Sequence, residues 1–275
     1  MKLSEMRQLL SERSIQLTKS LGQNFLHDGN QLRRITAAAD LKPGDRVIEV
    51  GPGLGPLTEL LLSQAPVLAI EKDRRLAELL RDRFVGRPGL QVVEADALDY
   101  VRHESRDWSE WKLVSNLPYS IASPLLVEFA QMPEPPARIT VTLQEEVAER
   151  LVAAPGNKTF GVLSLLIQVR YQAIDTFRIP RSCFFPPPDV DSACITLARR
   201  DSAPLAAAEL ATFTRLVKLA FSQRRKMMLK LLKTQWPAEL LEQAFLKLEL
   251  SRQTRAEELS LEHFLSLTRI LQNHG

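Results

Sequence analysis

The sequence is poor in cysteine and in long apolar runs, and these shortages exclude several classes of protein. Only 2 cysteines occur in 275 residues, and they form neither a disulfide framework nor a CxxC motif, so we predict no metal site. No apolar run approaches the roughly 18 residues of a membrane-spanning helix. The first twenty residues contain Glu5 and Glu12 and no apolar core, unlike a secretory signal or a transit peptide. We therefore expect a cytoplasmic protein with no membrane partner.

The composition is that of a globular protein. Hydrophobic residues make up 45% of the chain and charged residues 25%, which excludes disordered and fibrous classes. The length suits one large domain with a small appendage. A formal net charge of +3 permits a polyanionic partner without requiring one. The local distribution of charge must therefore decide that question.

Strand and helix patterns alternate through the first two thirds of the chain. Strands are predicted at 46–50, 67–70, 91–94, 112–115, 138–143, 171–179 and 193–198. Helices are predicted at 30–39 after an Asp28 cap, and at 57–63, 74–84, 124–132, 145–153 and 162–169. This rhythm predicts an α/β fold with a Rossmann-like, doubly wound, mostly parallel sheet. Residues 1–200 form that domain, and residues 201–275, rich in Leu and Ala, form a small all-helical domain.

The first chemical signal is a glycine-rich turn that directly follows an apolar strand. Residues 47–55 read VIEVGPGLG. The dinucleotide fingerprint GxGxxG needs glycine where this chain has Pro56, which disfavours a pyrophosphate ligand. Backbone approaches a ligand closely at such a turn, and the amino-acid end of S-adenosylmethionine needs only that room. For the glycines alone, a tight connection without a ligand is the alternative.

Acidic residues stand at the ends of the next two strands. Glu71 lies twenty residues after Gly51, where an acid in a doubly wound sheet grips ribose hydroxyls. Asp96 follows the third strand, where it can meet the exocyclic amine of the cofactor's adenine. Either acid alone is more often a capping or solvated carboxylate. Suitable groups at three successive strand ends favour a site for S-adenosylmethionine.

The segment NLPY at 116–119 follows a fourth strand and opens at the same edge of the sheet. An adenine amine is a poor nucleophile because its lone pair is delocalised into the ring. Attack on a sulfonium methyl is favoured by two acceptors for its N–H groups: the Asn116 side-chain oxygen and a carbonyl at Leu117 or Pro118. Tyr119 offers a face for the extruded base, worth roughly 1–3 kcal/mol. A lone NxPY would more often be a proline turn beside a core tyrosine.

Five segments together resemble the rRNA adenine N6,N6-dimethyltransferase family. They are GQNFL at 22–26, EVGPGLG at 49–55, ADAL at 95–98, NLPY at 116–119 and FFPPPDVDSA at 184–193. Their order covers nearly the whole chain and is most similar to the bacterial small-subunit enzymes. The resemblance implies a class I methyltransferase that uses S-adenosyl-L-methionine. It also implies dimethylation of two adjacent adenines in the 3′-terminal hairpin loop of 16S rRNA, in the small subunit or its precursor, as a step linked to small-subunit biogenesis. We expect a monomer.

The same resemblance assigns roles to individual residues. It implies that Tyr119 and Phe184 sandwich the target base, so these two residues and Asn116 are the predicted catalytic residues. The predicted cofactor contacts, some of them also derived above, are Asn24, Leu26, Gly51, Gly53, Glu71, Asp96 and Asn116.

A basic segment, residues 215–233, carries 7 cations and no acid. A solvated helical face usually mixes charges of both signs, so a run of one sign favours phosphate contact. The residues predicted to contact RNA are Arg215, Lys218, Arg224, Arg225 and Lys226.

Three other functions remain open at this stage. A large-subunit resistance methylase shares the fold, the small helical domain and the Pro-rich link, which here is residues 180–192 between the last two predicted strands. NLPY together with VDSA favours the small-subunit enzyme. A DNA adenine methyltransferase more often has a second proline where Leu117 stands. A mainly non-catalytic ribosome-assembly checkpoint is the third, and a dead-site variant that still affects assembly would identify it.

Overall fold

The computed structural model describes residues 1–17, 22–223 and 225–272. Its helices are α1 Leu3–Glu12, α2 Gly29–Ala38, α3 Pro56–Leu62, α4 Arg74–Arg83, α5 Ala97–His103, α6 Tyr119–Gln131, α7 Glu145–Val152, α8 Val162–Gln168, α9 Ala207–Ala220, α10 Met228–Leu232, α11 Ala238–Lys247 and α12 Leu261–Leu271. Its strands are β1 Phe25–Leu26, β2 Arg46–Val50, β3 Val67–Glu71, β4 Leu90–Glu94, β5 Trp111–Asn116, β6 Arg138–Gln144, β7 Tyr171–Ile179, β8 Phe184–Phe185 and β9 Ser192–Arg199.

Seven of these strands form one sheet in the order β4-β3-β2-β5-β6-β9-β7. Neighbours among β2 to β6 pair in parallel, and β9 pairs antiparallel with β6. Val67, Ala69 and Leu113 on the central strands are at most 2% exposed, as expected where helices cover both faces of a parallel sheet. The predicted α/β, doubly wound, mostly parallel fold is confirmed.

The strand order reverses between β2 and β5. From β2 the chain runs outward through β3 to β4, and then returns to fill the other side with β5 and β6. The connections after β2 and β5 therefore leave in opposite directions, which opens a crevice at the carboxyl edge of the sheet. The glycine turn and the NLPY segment both lie at this edge.

Three helices of the first 148 residues differ from the sequence prediction, and one of them, α1 at Leu3–Glu12, was not predicted at all. Helix α6 begins at Tyr119 and contains Pro124, whereas the pattern predicted a start at that proline. Pro124 has no N–H to donate to the carbonyl of Ser120, four residues earlier. Ser120 is exposed in the first turn of α6, and the helix therefore tolerates the proline. Helix α5 was not predicted, although Asp96 caps it by accepting from Leu98 N and Asp99 N. The predicted Asp28 cap of α2 is present, with bonds to Asn30 N and Gln31 N.

The chain folds as two compact units. The first comprises residues 1–148 and 172–199, and the second comprises Glu149–Tyr171 and Arg200–Gly275. The sequence pattern grouped residues 149–171 with the sheet domain. In the structure they join the C-terminal helices because Phe160 meets the Phe221 ring edge-on at 6.2 Å and Gly156 N donates to the Glu257 carbonyl at 2.8 Å. Among the described residues, no helix has the length and apolar character needed to cross a bilayer.

Candidate active site

A pocket at the carboxyl edge of the sheet brings together residues that are far apart in the chain. The seven residues predicted to contact the cofactor all line it, and so does Tyr119. Leu26 and Leu57 belong to the apolar core beneath it and are each 2% exposed. The structure thus places these residues around one space. Which of them contact a ligand stays a prediction.

Gly51 and Gly53 allow the turn after β2 to fit between two neighbouring segments. Their φ angles are +65° and +59°, in the left-handed region that favours glycine. A Cβ added to Gly53 would lie 2.5 Å from the Phe25 ring, and one added to Gly51 would lie 2.9 Å from the Pro118 ring. The turn is therefore enclosed on one side by residues 22–26, the N-terminal segment, and on the other side by NLPY.

Glu71 ends β3 and is 6% exposed. Its carboxylate accepts hydrogen bonds from the main-chain N–H of Gly53 at 3.1 Å and of Asp73 at 2.9 Å. Burial raises the pKa of Glu71, while these main-chain donors oppose the shift. The carboxylate thus lies against the glycine turn, where it can also accept hydrogen bonds from sugar hydroxyls.

Asp96 combines a structural contact with its place in the pocket. One oxygen accepts from Leu98 N at 2.9 Å at the start of α5, and the other accepts from Lys72 Nζ at 2.9 Å. The hydrogen bond from Lys72 lowers the pKa of Asp96, which keeps the carboxylate ionised at neutral pH. Its predicted contact with an adenine amine stays a prediction.

The Asn116 side chain is held at one end and free at the other. Its Nδ2 donates to the main-chain carbonyl of Asn24 at 3.0 Å. Its Oδ1 is buried and has no hydrogen-bond partner in the described part of the chain. Because the carbonyl of Asn24 fixes the donor end of the amide, Oδ1 is an oriented acceptor at the pocket wall. A buried acceptor without a partner is costly and therefore indicates a ligand donor.

The structure favours Leu117 over Pro118 as the second acceptor. The Pro118 carbonyl already accepts from Ile121 N at 3.1 Å in the first turn of α6. Leu117 N donates to the Thr142 carbonyl at 3.1 Å, which anchors this segment to β6. Pro118 also holds Leu117 in an extended conformation. The sequence alone left the choice between these two carbonyls open.

The two predicted stacking residues differ in their surroundings. Tyr119 is half-buried at the pocket, and its hydroxyl lies 2.6 Å from Ser192 Oγ. Phe184 is 2% exposed, pairs with Leu26 between β8 and β1, and belongs to the apolar core. Among the described residues it lies outside the pocket lining. Tyr119 lines the pocket, whereas the Phe184 ring would have to be uncovered before a base could stack on it.

The basic segment presents most of its predicted contacts at the surface. Lys218, Arg225 and Lys226 are exposed, whereas Met228 and Leu232 in the same segment are buried. The Arg215 guanidinium lies 4.9 Å from the centre of the Trp236 ring, so this residue also packs on its own unit. Arg224 lies outside the described residues.

Sequence reasoning missed Glu49, an acid inside β2 that lines the pocket. It is 1% exposed, and its Oε2 has no hydrogen-bond partner within the described ranges. Burial raises its pKa to about 8, and the nearby Glu71 carboxylate acts in the same direction. The sequence offered one indication of this residue, because an acid inside a strand that is covered on both faces must be buried.

The raised pKa of Glu49 predicts that stability falls as pH rises. The folded state keeps a proton on Glu49 that the unfolded state releases above its ordinary pKa of 4.5. Between that value and about 8, this group therefore lowers the free energy of unfolding by up to about 1.4 kcal/mol per pH unit. Urea unfolding of Glu49→Gln should show a shallower decline over this range. Parallel pH profiles for the variant and the wild type would contradict the prediction.

Comparison of the sequence with known proteins identifies relatives of this chain. The ribosomal RNA adenine dimethylase family model matches residues 15–273. The small-subunit rRNA methyltransferase A of Gloeobacter violaceus is 42% identical over 91% of this chain and 92% of its own length. The protein of the same name from Geobacter metallireducens is 37% identical over 95% of this chain and 98% of its own length.

Solved structures show the same likeness. A dimethyladenosine transferase from Plasmodium falciparum matches with a TM-score of 0.78 and 26% identity, over 91% of this chain and 99% of its own. The 23S rRNA methyltransferase ErmE matches with a TM-score of 0.67 and 28% identity, over 90% of this chain and 99% of its own. With the family model covering nearly all of its length, this chain belongs to the ribosomal RNA adenine dimethylase family.

Proposed function

We propose that this chain transfers methyl groups from S-adenosylmethionine to the N6 amine of two adjacent adenines in the 3′-terminal hairpin loop of 16S rRNA. Family membership makes it an S-adenosylmethionine-dependent rRNA adenine dimethyltransferase. The high identity to proteins named small-subunit methyltransferases supports the small subunit or its precursor as the substrate particle. This substrate implies a cytoplasmic enzyme, and we propose that it acts as a monomer.

The lining of the pocket fits the cofactor. The turn at Gly51 and Gly53 lines the pocket beside the Glu71 carboxylate, and we propose that the turn binds the amino-acid end of the cofactor while Glu71 binds the ribose. Asp96 stands at the next strand end for the adenine, and Asn24 and Leu26 close the pocket from the N-terminal side. When bound, S-adenosylmethionine supplies an electrophilic methyl group. The protein's contribution is to bind, orient and desolvate the reacting groups.

The observation that carries the proposal is the oriented, unpaired Oδ1 of Asn116. Before the first transfer, an adenine N6 amine carries two N–H groups, and this oxygen can accept from one while the Leu117 carbonyl accepts from the other. Two acceptors favour a pyramidal nitrogen with its lone pair free for attack. Because both acceptors are fixed before the base arrives, little reorganisation is needed as the nitrogen changes shape. Tyr119 holds the extruded base by stacking.

Methyl transfer from tritiated cofactor tests the proposal. Small subunits and large subunits, each lacking the modification, are offered separately, and the methylated nucleotide is mapped. We expect label at two adjacent adenines near the 3′ end of 16S rRNA. Label on the large subunit alone would contradict the proposal. It would instead support methylation of 23S rRNA, the activity for which ErmE is named.

The basic segment yields a prediction about binding. Charge reversal at Arg224, Arg225 and Lys226 removes three cations that we propose to bind phosphate groups. We expect weaker binding to small subunits, and a salt dependence whose slope falls by about one unit for each phosphate that is no longer neutralised. Binding isotherms at several salt concentrations measure this slope.

Charge reversal at three cations outside the basic segment provides the matched control. Arg87, Lys247 and Arg255 are exposed in the structure. The same change in net charge there should leave the slope nearly unchanged. Equal effects in the two triple variants would show that total charge, rather than the basic segment, governs binding.

A further inference from the structure

Tyr119 is attached at both ends. Its backbone opens α6 immediately after Pro118, and its phenol oxygen lies 2.6 Å from Ser192 Oγ. Tyr side chains turn about two bonds, so a partner for the distant hydroxyl restricts the plane of the whole ring. Burial raises the pKa of the Tyr119 phenol, which therefore stays neutral and protonated at neutral pH. The hydroxyl is thus suited to a hydrogen bond and unsuited to accepting a proton.

Ser192 is itself held in place by the sheet. It is the first residue of β9, lies opposite Gln144 of β6, and is fully buried. Two residues earlier in β6, the Thr142 carbonyl accepts the hydrogen bond from Leu117 N. The serine and the NLPY segment are therefore both fixed to β6, at neighbouring points of one strand.

The residue before Ser192 anchors the end of the Pro-rich link. Asp191 accepts from Arg181 N at 2.8 Å and from the Arg178 guanidinium. Its carbonyl accepts from Glu145 N at 3.1 Å. Three contacts from different elements thus keep Ser192 from moving along the sheet, and a serine that cannot move can act as a fixed reference for the ring it touches.

We infer that Ser192 is a positioning residue for methyl transfer, which sets the plane of the Tyr119 ring through the hydroxyl and so aligns the stacked adenine with Asn116. The inference rests on the proposed function, because it assumes that Tyr119 stacks on the target base. Ser192 contacts neither substrate nor cofactor in this arrangement, and its effect passes entirely through Tyr119.

A double-mutant cycle tests the inference. Single-turnover rates are measured for Ser192→Ala, Tyr119→Phe and the double variant. One neutral hydrogen bond corresponds to about a fivefold change, so each single variant should lose about that much rate. The double variant should be no slower than Tyr119→Phe alone, because Ser192 then has no hydroxyl to hold. A further fivefold loss in the double variant would overturn the inference.

A control and a second readout separate this inference from the proposed function. Ser164 is also fully buried, and its Oγ accepts from Gly161 N at 3.1 Å and donates to the Arg150 carbonyl; Ser164→Ala should leave the rate within about twofold. The chain has 3 tyrosines, so labelling with 3-fluorotyrosine gives few signals in a 19F NMR spectrum. The signal that is missing from the spectrum of Tyr119→Phe belongs to Tyr119. Ser192→Ala should shift this signal and Ser164→Ala should not. An unshifted signal overturns the inference whatever RNA the enzyme methylates.

Discussion

Replacing Asn116 with Ala is expected to lower the single-turnover rate of methyl transfer by about two orders of magnitude or more. The variant removes the Asn116 Oδ1 acceptor, which is already oriented by the bond from Nδ2 to Asn24 and has no hydrogen-bond partner among the described residues. The loss falls on the chemical step because the acceptor interacts most strongly as the amine becomes pyramidal. Binding of small subunits should barely change. Single-turnover conditions are needed because slow product release could hide the defect.

Asn116→Asp distinguishes the two ends of the amide. The carboxylate keeps an acceptor at the position of Oδ1 but loses the Nδ2 donor that bonds the Asn24 carbonyl at 3.0 Å. If the acceptor dominates, rates should follow the order wild type, Asp variant, Ala variant. An Asp variant as slow as the Ala variant, with weakened cofactor affinity, would assign the effect to the hydrogen bond with Asn24 instead.

A matched asparagine controls for loss of hydrogen bonds in general. Asn157 is exposed, and its Oδ1 accepts from the main-chain N–H of Thr159 at 3.2 Å and from its hydroxyl at 3.1 Å. It lies in the second compact unit and does not line the pocket. Asn157→Ala should therefore cost some stability and leave the methyl-transfer rate unchanged.

The location of the site could be predicted from the sequence because strand ends carry local signals. Glycines, Glu71, Asp96 and NLPY each follow an apolar run directly, and parallel strands bring such ends to one edge of a sheet. Contacts between residues far apart in the chain could not be predicted in this way, because no local sequence pattern indicates them. Ser192 and Tyr119 are 73 residues apart, and nothing in either segment indicates that their hydroxyl groups meet.

Two further features depend on burial, which sequence patterns report poorly. Glu49 falls inside the predicted strand at 46–50, but the sequence pattern alone does not show that its carboxyl group is buried and lines the pocket. Phe184 was predicted beside the base by resemblance, whereas its ring packs in the core next to Leu26. Whether a ring faces a pocket or a core depends on the register between β1 and β8, and two-residue strands are too short to show that register in sequence.

Replacing Gly53 with Ala is expected to reduce the methyl-transfer rate about a hundredfold, by displacing pocket residues by as little as 1 Å. The new methyl group would lie 2.5 Å from Cε1 of Phe25. Phe25 cannot easily withdraw, because it pairs with Phe185 and packs in a cluster with Met6 and Leu54. Any shift of Phe25 moves the preceding residue Asn24, whose carbonyl holds the Asn116 amide. Cofactor affinity should fall as well, which calorimetry can measure.

Gly86→Ala separates this steric effect from backbone strain. Gly86 has a φ of +75°, close to the +59° of Gly53, but an added Cβ there meets nothing within 4 Å. Both variants carry the strain of a left-handed alanine, about 1–2 kcal/mol, and only Gly53→Ala also meets Phe25. Gly86→Ala should therefore lower stability with normal activity. Adding Phe25→Leu to Gly53→Ala should restore part of the rate, because the shorter side chain leaves room for the methyl group. If no rate returns while the fold is intact, the left-handed backbone at Gly53 accounts for the loss, and the N-terminal segment does not transmit the clash to Asn116.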